Sequence, residues 1–243
     1  GASMVPGVKD YNPISNAVCK LINESDGHKR TLYGVGYGHF IITNRHLFEH
    51  NNGKVIVKSK HGEFLIPNST SLMLLPVPDR DILVIKLPKD FPPFPQRIHF
   101  SAPEEGMTVT MVGALFQERS QTPLISPTCA TFRKDESHFW KHWISTKDGQ
   151  CGTPFVEVKT NAIVGLHSLG SCNSKTNYFV GFPHNFVDEF ITKENTEAWR
   201  KCWRYNPDQI NWGSMNVKRN IPTGLFKVSK LPYDLNLEEV IEQ

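Results

Sequence analysis

The chain has 243 residues, 39% hydrophobic and 21% charged, with 27 basic and 24 acidic side chains giving a formal charge of +3. That length buries one large core or two small ones, and the composition excludes a disordered chain. No apolar run reaches the ~18 residues of a spanning helix, and Gly1-Ala2-Ser3-Met4-Val5-Pro6 lacks the basic-then-apolar pattern of a signal peptide, so neither membrane nor secretion is expected.

In chain order, strand-forming residues cluster at 32–43, 54–58, 63–66, 82–87, 108–112, 154–158, 162–167 and 178–182. Turn clusters such as Asn51-Asn52-Gly53 and His61-Gly62 separate them, the latter closing a hairpin over 55–66. Gly34-Val35-Gly36-Tyr37-Gly38 lies inside a strand and opens no helix, so it is not a dinucleotide fingerprint. Glycines there bend a barrel strand or let a loop pass closely. Phe91-Pro92-Pro93-Phe94-Pro95 reads as a rigid surface loop capped by two aromatics, with a ligand for a proline-binding domain as the alternative. The polar stretch 116–127 has two prolines and no strand pattern, and reads as a seam. Helical periodicity is confined to 185–204, where Phe186, Phe190, Ala198 and Trp199 predict one or two short helices. After Pro222 the chain reads as a tail. Strands at this density, without alternating helices, define an all-β protein of two modules.

Cys19, Cys129, Cys151, Cys172 and Cys202 are odd in number and widely spaced, which fits free thiols in a reducing compartment better than a disulfide framework. The sequons at Asn23 and Asn68 are then unused surface turns.

The strongest chemical signal is Lys147-Asp148-Gly149-Gln150-Cys151-Gly152-Thr153-Pro154. A cysteine between glycines, ahead of an apolar strand, suits a nucleophile whose neighbouring N–H groups form an oxyanion hole. The amides of Gly149 and Cys151 are the expected donors, with Gly149 at positive φ; the bland alternative is a packing thiol in a glycine turn. A thiol nucleophile needs a base. His46 ends an apolar strand, and Asp81 opens another, where an unpaired carboxylate is expensive. Asp79, the rival carboxylate, is expected to face solvent. The order His46, Asp81, Cys151 is that of the chymotrypsin-type double barrel, with the site in the cleft between barrels. His167 follows Cys151 too closely for a papain-like pair and is assigned to the wall of the substrate pocket. Zinc binding through His138, His142, Cys129 and Cys151 is disfavoured for want of a Cys-x-x-Cys pair.

Several segments together resemble the nuclear inclusion a proteases of potyviruses. They are Asp10-Tyr11-Asn12-Pro13-Ile14, Thr43-Asn44-Arg45-His46-Leu47-Phe48, Arg80-Asp81-Ile82, 89–95, 139–144 and Asp148-Gly149-Gln150-Cys151-Gly152, within a match over about 10–212. The resemblance implies a chymotrypsin-like double antiparallel β-barrel with short helices and a C-terminal tail. Residues 1–116 would form the barrel carrying His46 and Asp81, 117–220 the barrel carrying Cys151 and the pocket, and 221–243 the tail. It implies a cysteine endopeptidase that cuts a viral polyprotein, its own ends included, after glutamine and before a small residue. No cofactor or metal is expected. Thr146 and His167 would receive the glutamine amide, supplying a donor and an acceptor without charge, with Asp148 close by. Asn177 and Tyr178 would belong to the strand that binds extended substrate. The implied setting is the host cytoplasm and nucleus.

The chain ends fit the same expectation: Gly1-Ala2 and Gln243 are what such a cut would leave, and Val240-Ile241-Glu242-Gln243 sketches a substrate that adds a strand to the second barrel. A second reading comes from Lys201, Arg204, Lys218, Arg219, Lys227 and Lys230, interleaved with Trp203, Tyr205, Trp212 and Phe226. They could serve as a platform for single-stranded RNA.

Overall fold

The computed structural model describes residues 5–6, 11–117, 120–192, 198–218 and 238–243. The chain opens with β1 (Val5–Pro6) and a one-turn helix α1 (Asn12–Ser15). A seven-stranded antiparallel sheet follows, made of β2 (Val18–Ser25), β3 (His28–Tyr37), β4 (Phe40–Thr43), β5 (Lys54–Ser59), β6 (Gly62–Ile66), β7 (Leu74–Pro76) and β8 (Leu83–Lys86), in the order β6-β5-β2-β3-β4-β8-β7.

The second sheet uses β9 (Thr108–Gln117), β10 (Ser120–Ile125), β11 (Cys129–Ala130), β12 (Phe132–Arg133), β13 (Phe139–His142), β14 (Pro154–Glu157), β15 (Ile163–Ser171), β16 (Asn177–Gly181), β17 (Asn216–Lys218) and β18 (Glu239–Glu242), with β1 at one edge. It is antiparallel except where β17 runs parallel to β18. Each strand turns apolar residues inward: Val55 and Val57 alternate with Lys54 and Lys58 on β5, whereas β16 is buried on both faces. One apolar cluster takes Val35, Ile42 and Val84 from the first sheet and Val112, Val156 and Ile163 from the second, which joins the two.

Several expectations need correction. The stretch 32–43 is not one strand but the β3–β4 hairpin, broken at Gly38, whose φ of +58° suits glycine. β9 pairs with β10, β11 and β14, so a division at 116 puts it in the wrong barrel; the passage between sheets falls within 87–107. The stretch taken as a seam contains β10. Pro123 is tolerated there because, among the described residues, β9 alone flanks it, β1 pairing with Leu124 and Ile125. Within 185–204 the expected short helix is present among the described residues, where the turns at 186–187 run on into the π-type turn Asp188–Thr192. Most of the tail lies outside the described residues, but 238–243 does not hang free: Glu239–Glu242 is a strand inserted between β15 and β17.

The proline-rich loop is a lid on the first sheet. Phe91 and Phe94 are buried, and the Phe94 ring covers Gly36 so closely that a Cβ there would lie 2.3 Å from it. All five cysteines are free thiols. Asn23 is buried with its amide donating to Leu47 O and Asn51 O, so that sequon is no surface turn. Among the described residues no helix is long and apolar enough to cross a membrane.

Candidate active site

Three local rules carry the reacting groups to one place. Ile41 and Ile42 draw β4 into the core, and the turn that follows (Arg45–Phe48) buries Leu47 and Phe48, which leaves His46 fixed between them. Ile82, Leu83 and Val84 likewise pull the entrance of β8 inward, so Asp81 is wholly buried while Asp79 stays exposed. Gly149 and Gly152 sit at φ +89° and +83° and bend the loop before β14 around Cys151. A Cβ on Gly152 would fall 1.7 Å from Tyr33 O, so only glycine fits. Across the same junction Tyr33 N–H donates to Cys151 O at 2.8 Å, tying the loop to the first sheet.

His46 Nδ1 lies 2.7 Å from Asp81 Oδ2, and the His46 backbone N–H donates to Asp81 Oδ1 at 3.3 Å. Asp81 also accepts from Ser168 Oγ at 2.7 Å. The Cys151 thiol, fully buried, points at Ser168 O, 3.0 Å away. Burial would push Asp81 up, but the charge and hydrogen bond of His46, the Ser168 hydroxyl and Arg45 hold it below the usual carboxylate range. Burial would lower His46; Asp81, Glu242 and Cys151 overcome it and raise the imidazole well above its ordinary value. Burial raises the Cys151 thiol, against which the charge of His46 pulls down. Asp81 and His46 therefore form a hydrogen-bonded pair, while among the described residues the buried Nε2 of His46 has no hydrogen-bond partner and the Cys151 thiol is turned to Ser168 O instead.

The tail strand occupies a groove beside these groups. Leu169, Gly170 and Ser171 of β15 pair with Glu242, Ile241 and Val240, while β17 pairs on the other side. Val240 is wholly buried; Ile241 is 41% exposed. Gln243 enters a pocket beside Cys151, its N–H donating to Ser168 O at 3.2 Å and its carbonyl oxygen accepting from Gly149 N–H at 2.6 Å. Its side-chain Oε1 accepts from Thr146 Oγ1 and lies the same 2.7 Å from His167 Nε2. Beyond Gln243 the groove opens into a cavity of about 450 Å3 lined by Lys29, Arg30, Thr31, Glu49 and Asp148.

Thr146 and His167 thus meet the glutamine, but both act on its oxygen as donors, rather than one on each end of the amide. Asp148 is exposed at the lip of the pocket. Tyr178 has its ring in the core and its hydroxyl donating to Glu238 at the start of the tail strand. Asn177 does something else: its amide donates to Ile144 O at 2.9 Å and so anchors the segment leading to Thr146. Among the described residues, the aromatics of the expected RNA platform are engaged within the fold: Trp203 is buried, Trp212 stacks on Phe139 and donates to Pro207 O, and the Tyr205 hydroxyl donates to Glu242. Arg219, Phe226, Lys227 and Lys230 lie outside the described residues. No group of three His, Cys, Asp or Glu side chains among the described residues is placed to hold a metal, and both ring nitrogens of His142 face protein partners.

Four contributors escaped the sequence reading: Ser168, Gly170, Arg30 and Tyr205. Gly170 backs the glutamine, where a Cβ would come within 2.3 Å of its Nε2. Arg30 donates to Glu242 O at 3.2 Å, and Glu242 Oε2 stands 3.2 Å from His46 Nδ1. Gly170 lies beyond the strand expected over 162–167, so its close approach follows only from the longer strand Ile163–Ser171, and a serine, an arginine and a tyrosine carry no signal at all.

Two sheets with a buried Asp81–His46 pair and a buried Cys151 at their junction define a chymotrypsin-like cysteine endopeptidase. The chain belongs to peptidase family C4, whose profile matches residues 1–232. It is 53% identical over 241 residues to part of the genome polyprotein of Turnip mosaic virus (strain Japanese), a match covering 99% of this chain and 8% of that polyprotein. The crystal structure of a tobacco etch virus protease mutant is similar at a TM-score of 0.84 and 42% identity, covering 98% of this chain and 99% of that one. Catalytically inactive tobacco etch virus protease complexed with substrate gives 0.75 at 46% identity, covering 83% and 94%. These relatives agree with the resemblance to potyviral nuclear inclusion a proteases.

Proposed function

We propose that this endopeptidase cuts peptide bonds after glutamine, within an extended segment of a viral polyprotein, by thiol acyl-enzyme chemistry. The observation that carries the reading is the seat of Gln243, with its side-chain oxygen on Thr146 and His167 and its carbonyl oxygen on Gly149 N–H. In a substrate so seated, the Cys151 thiol turns from Ser168 O to the free Nε2 of neutral His46, which takes its proton, and the sulfur attacks the carbonyl carbon. The oxygen, now negative, is held by Gly149 N–H. His46 returns the proton to the leaving amine and a thioester forms. Water, deprotonated by His46, then hydrolyses it and restores the thiol. Asp81 holds the imidazole with its proton on Nδ1 throughout.

Upstream, the tail strand supports a preference for an aliphatic residue four positions before the cut, where Val240 is buried, and for an acidic one at the position of Glu238, beside Tyr178 and Lys134. A small residue after the cut is carried over from the family resemblance. The test is mass spectrometry of products from a peptide library, with Cys151→Ala as control. Cleavage after glutamine that disappears in Cys151→Ala with the fold intact is expected; cleavage persisting in that variant overturns the thiol mechanism.

A further inference from the structure

Below the glutamine pocket three hydrogen bonds run in line. The Ile144 backbone N–H donates to Nδ1 of His142 at 3.2 Å. Nε2 of His142 lies 3.2 Å from Nδ1 of His167, and Nε2 of His167 lies 2.7 Å from Oε1 of Gln243. Both imidazoles are wholly buried. A backbone N–H only donates, so Nδ1 of His142 must accept and the ring proton sits on Nε2. That proton is aimed at Nδ1 of His167, which must accept in turn. His167 is left with its one hydrogen on Nε2, pointing at the glutamine oxygen. A single backbone donor therefore sets two tautomers in sequence.

We propose that His142 is a positioning residue for glutamine selection, holding His167 as the neutral Nε2–H tautomer so that the pocket offers a donor without a charge. The inference rests on the reading of the pocket as a glutamine site. A second proton on His167 would have to sit on Nδ1, where the His142 N–H already points. His142 could yield only by moving its own proton to Nδ1, against Ile144 N–H. The doubly protonated ring is the form that would welcome a glutamate carboxylate, so blocking it favours the amide over the acid.

The surroundings work in the same direction. His142 and His167 pack on the Phe155 ring of β14, and Phe179 of β16 flanks His142, so no carboxylate compensates from those strands. The charged or titratable groups acting on His167 are His142 from β13 and His46 across the cleft, with the Thr146 hydroxyl beside the shared oxygen. Burial first, then His46, holds His167 at about 4 despite the glutamine hydrogen bond, and burial together with His167 keeps His142 well below its ordinary value.

The test compares the full chain with His142→Phe, which keeps a ring in the apolar slot and removes both nitrogens, and with His142→Gln, which retains a donor and an acceptor. The readout is kcat/KM for matched peptides bearing glutamine or glutamate before the cut, measured from about pH 8 down to about pH 5.5. The native chain should keep its glutamine preference unchanged across that range. His142→Phe should lose about tenfold on the glutamine peptide, as for one lost hydrogen bond in a buried site. Its preference should also collapse by at least about tenfold on acidification, with His142→Gln lying between. A preference and pH profile in His142→Phe matching the native chain would overturn the proposal. Nitrogen-15 spectra of histidine-labelled native chain test it without any variant: His167 should appear as neutral Nε2–H throughout. An Nδ1–H tautomer, or titration near the free-histidine value, would overturn it. A native chain with no glutamine preference overturns the pocket reading instead, and the spectra still decide the tautomer.

Discussion

The Ser168 hydroxyl donates to Asp81 Oδ2 at 2.7 Å, joining a strand of the second sheet to the carboxylate supplied by the first. That same oxygen receives His46 Nδ1–H, and Ser168 O faces the Cys151 thiol, so one residue touches both ends of the reacting chain. Ser168→Ala keeps the backbone contacts and removes only the hydroxyl. It should leave the fold intact, lower kcat about tenfold for the loss of a charge-assisted hydrogen bond, and leave KM nearly unchanged. Steady-state kinetics checks this; an unchanged kcat would show that Asp81 is held well enough by His46 alone.

At Gly170 the strand edge serves as a wall for the glutamine amide. A Cβ would sit 2.3 Å from Nε2 and 2.5 Å from Cδ of Gln243. Gly170 carries no positive φ, so alanine is acceptable to the backbone and the clash falls on the ligand. Gly170→Ala should therefore unfold in urea like the native chain while kcat/KM for glutamine peptides falls about a hundredfold or more, because a displaced side chain loses both donors. Full activity in that variant would mean that the amide can shift without penalty.

On the proposed reading, the tail strand lies where substrate would bind. Val240 is buried in the cluster that includes Leu169, Tyr178 and Met215, so it anchors the inserted strand. Val240→Asp places an unpaired charge there, at a cost of several kcal/mol, and should expel the strand. The apparent KM for peptide should fall at least about fivefold with kcat unchanged, whereas an unaltered KM would show that the tail leaves the groove readily in the native chain.

The parts of the site legible in the sequence are those with a local cost. Asp81 at the mouth of an apolar strand, Cys151 between glycines and His46 at the end of buried β4 each needed an explanation that solvent exposure could not supply. Other parts have no such mark. Ser168 and Asn177 are ordinary polar residues until the register of β15 against β16 turns one toward Asp81 and the other toward Ile144. β18 has one deeply buried aliphatic, Val240, between glutamates, too little to announce a strand whose two partners come from distant segments. β10 was lost to Pro123, since whether proline breaks a strand depends on a neighbour that only the tertiary structure supplies. The same limit hid His142, whose meaning lies in His167 across a strand pair.

The paired buried histidines also contribute to the acid stability of the fold, beside His138, which burial and then Arg80 lower to about 4. An unfolded histidine titrates near 6.5, whereas burial holds His167 at about 4 and pushes His142 well below its ordinary range. Between those values the unfolded chain takes up protons that the native chain refuses, so stability falls as pH drops from about 6.5 toward about 4. His167 alone accounts for on the order of 3 kcal/mol over that window. His46 acts at the other end: its folded value is raised, so its contribution is complete below the unfolded value and is lost only as pH rises through the raised one. Asp81 is depressed in the folded chain, and its contribution is lost as pH falls through that lowered value. Neither offsets the loss from the buried pair. Urea unfolding from about pH 7 to about pH 4.5 should show a midpoint that falls steadily at constant slope, and His142→Phe should flatten the fall by removing one titrating group. A midpoint independent of pH in the native chain would mean that these rings are protonated in the folded state, contrary to their burial.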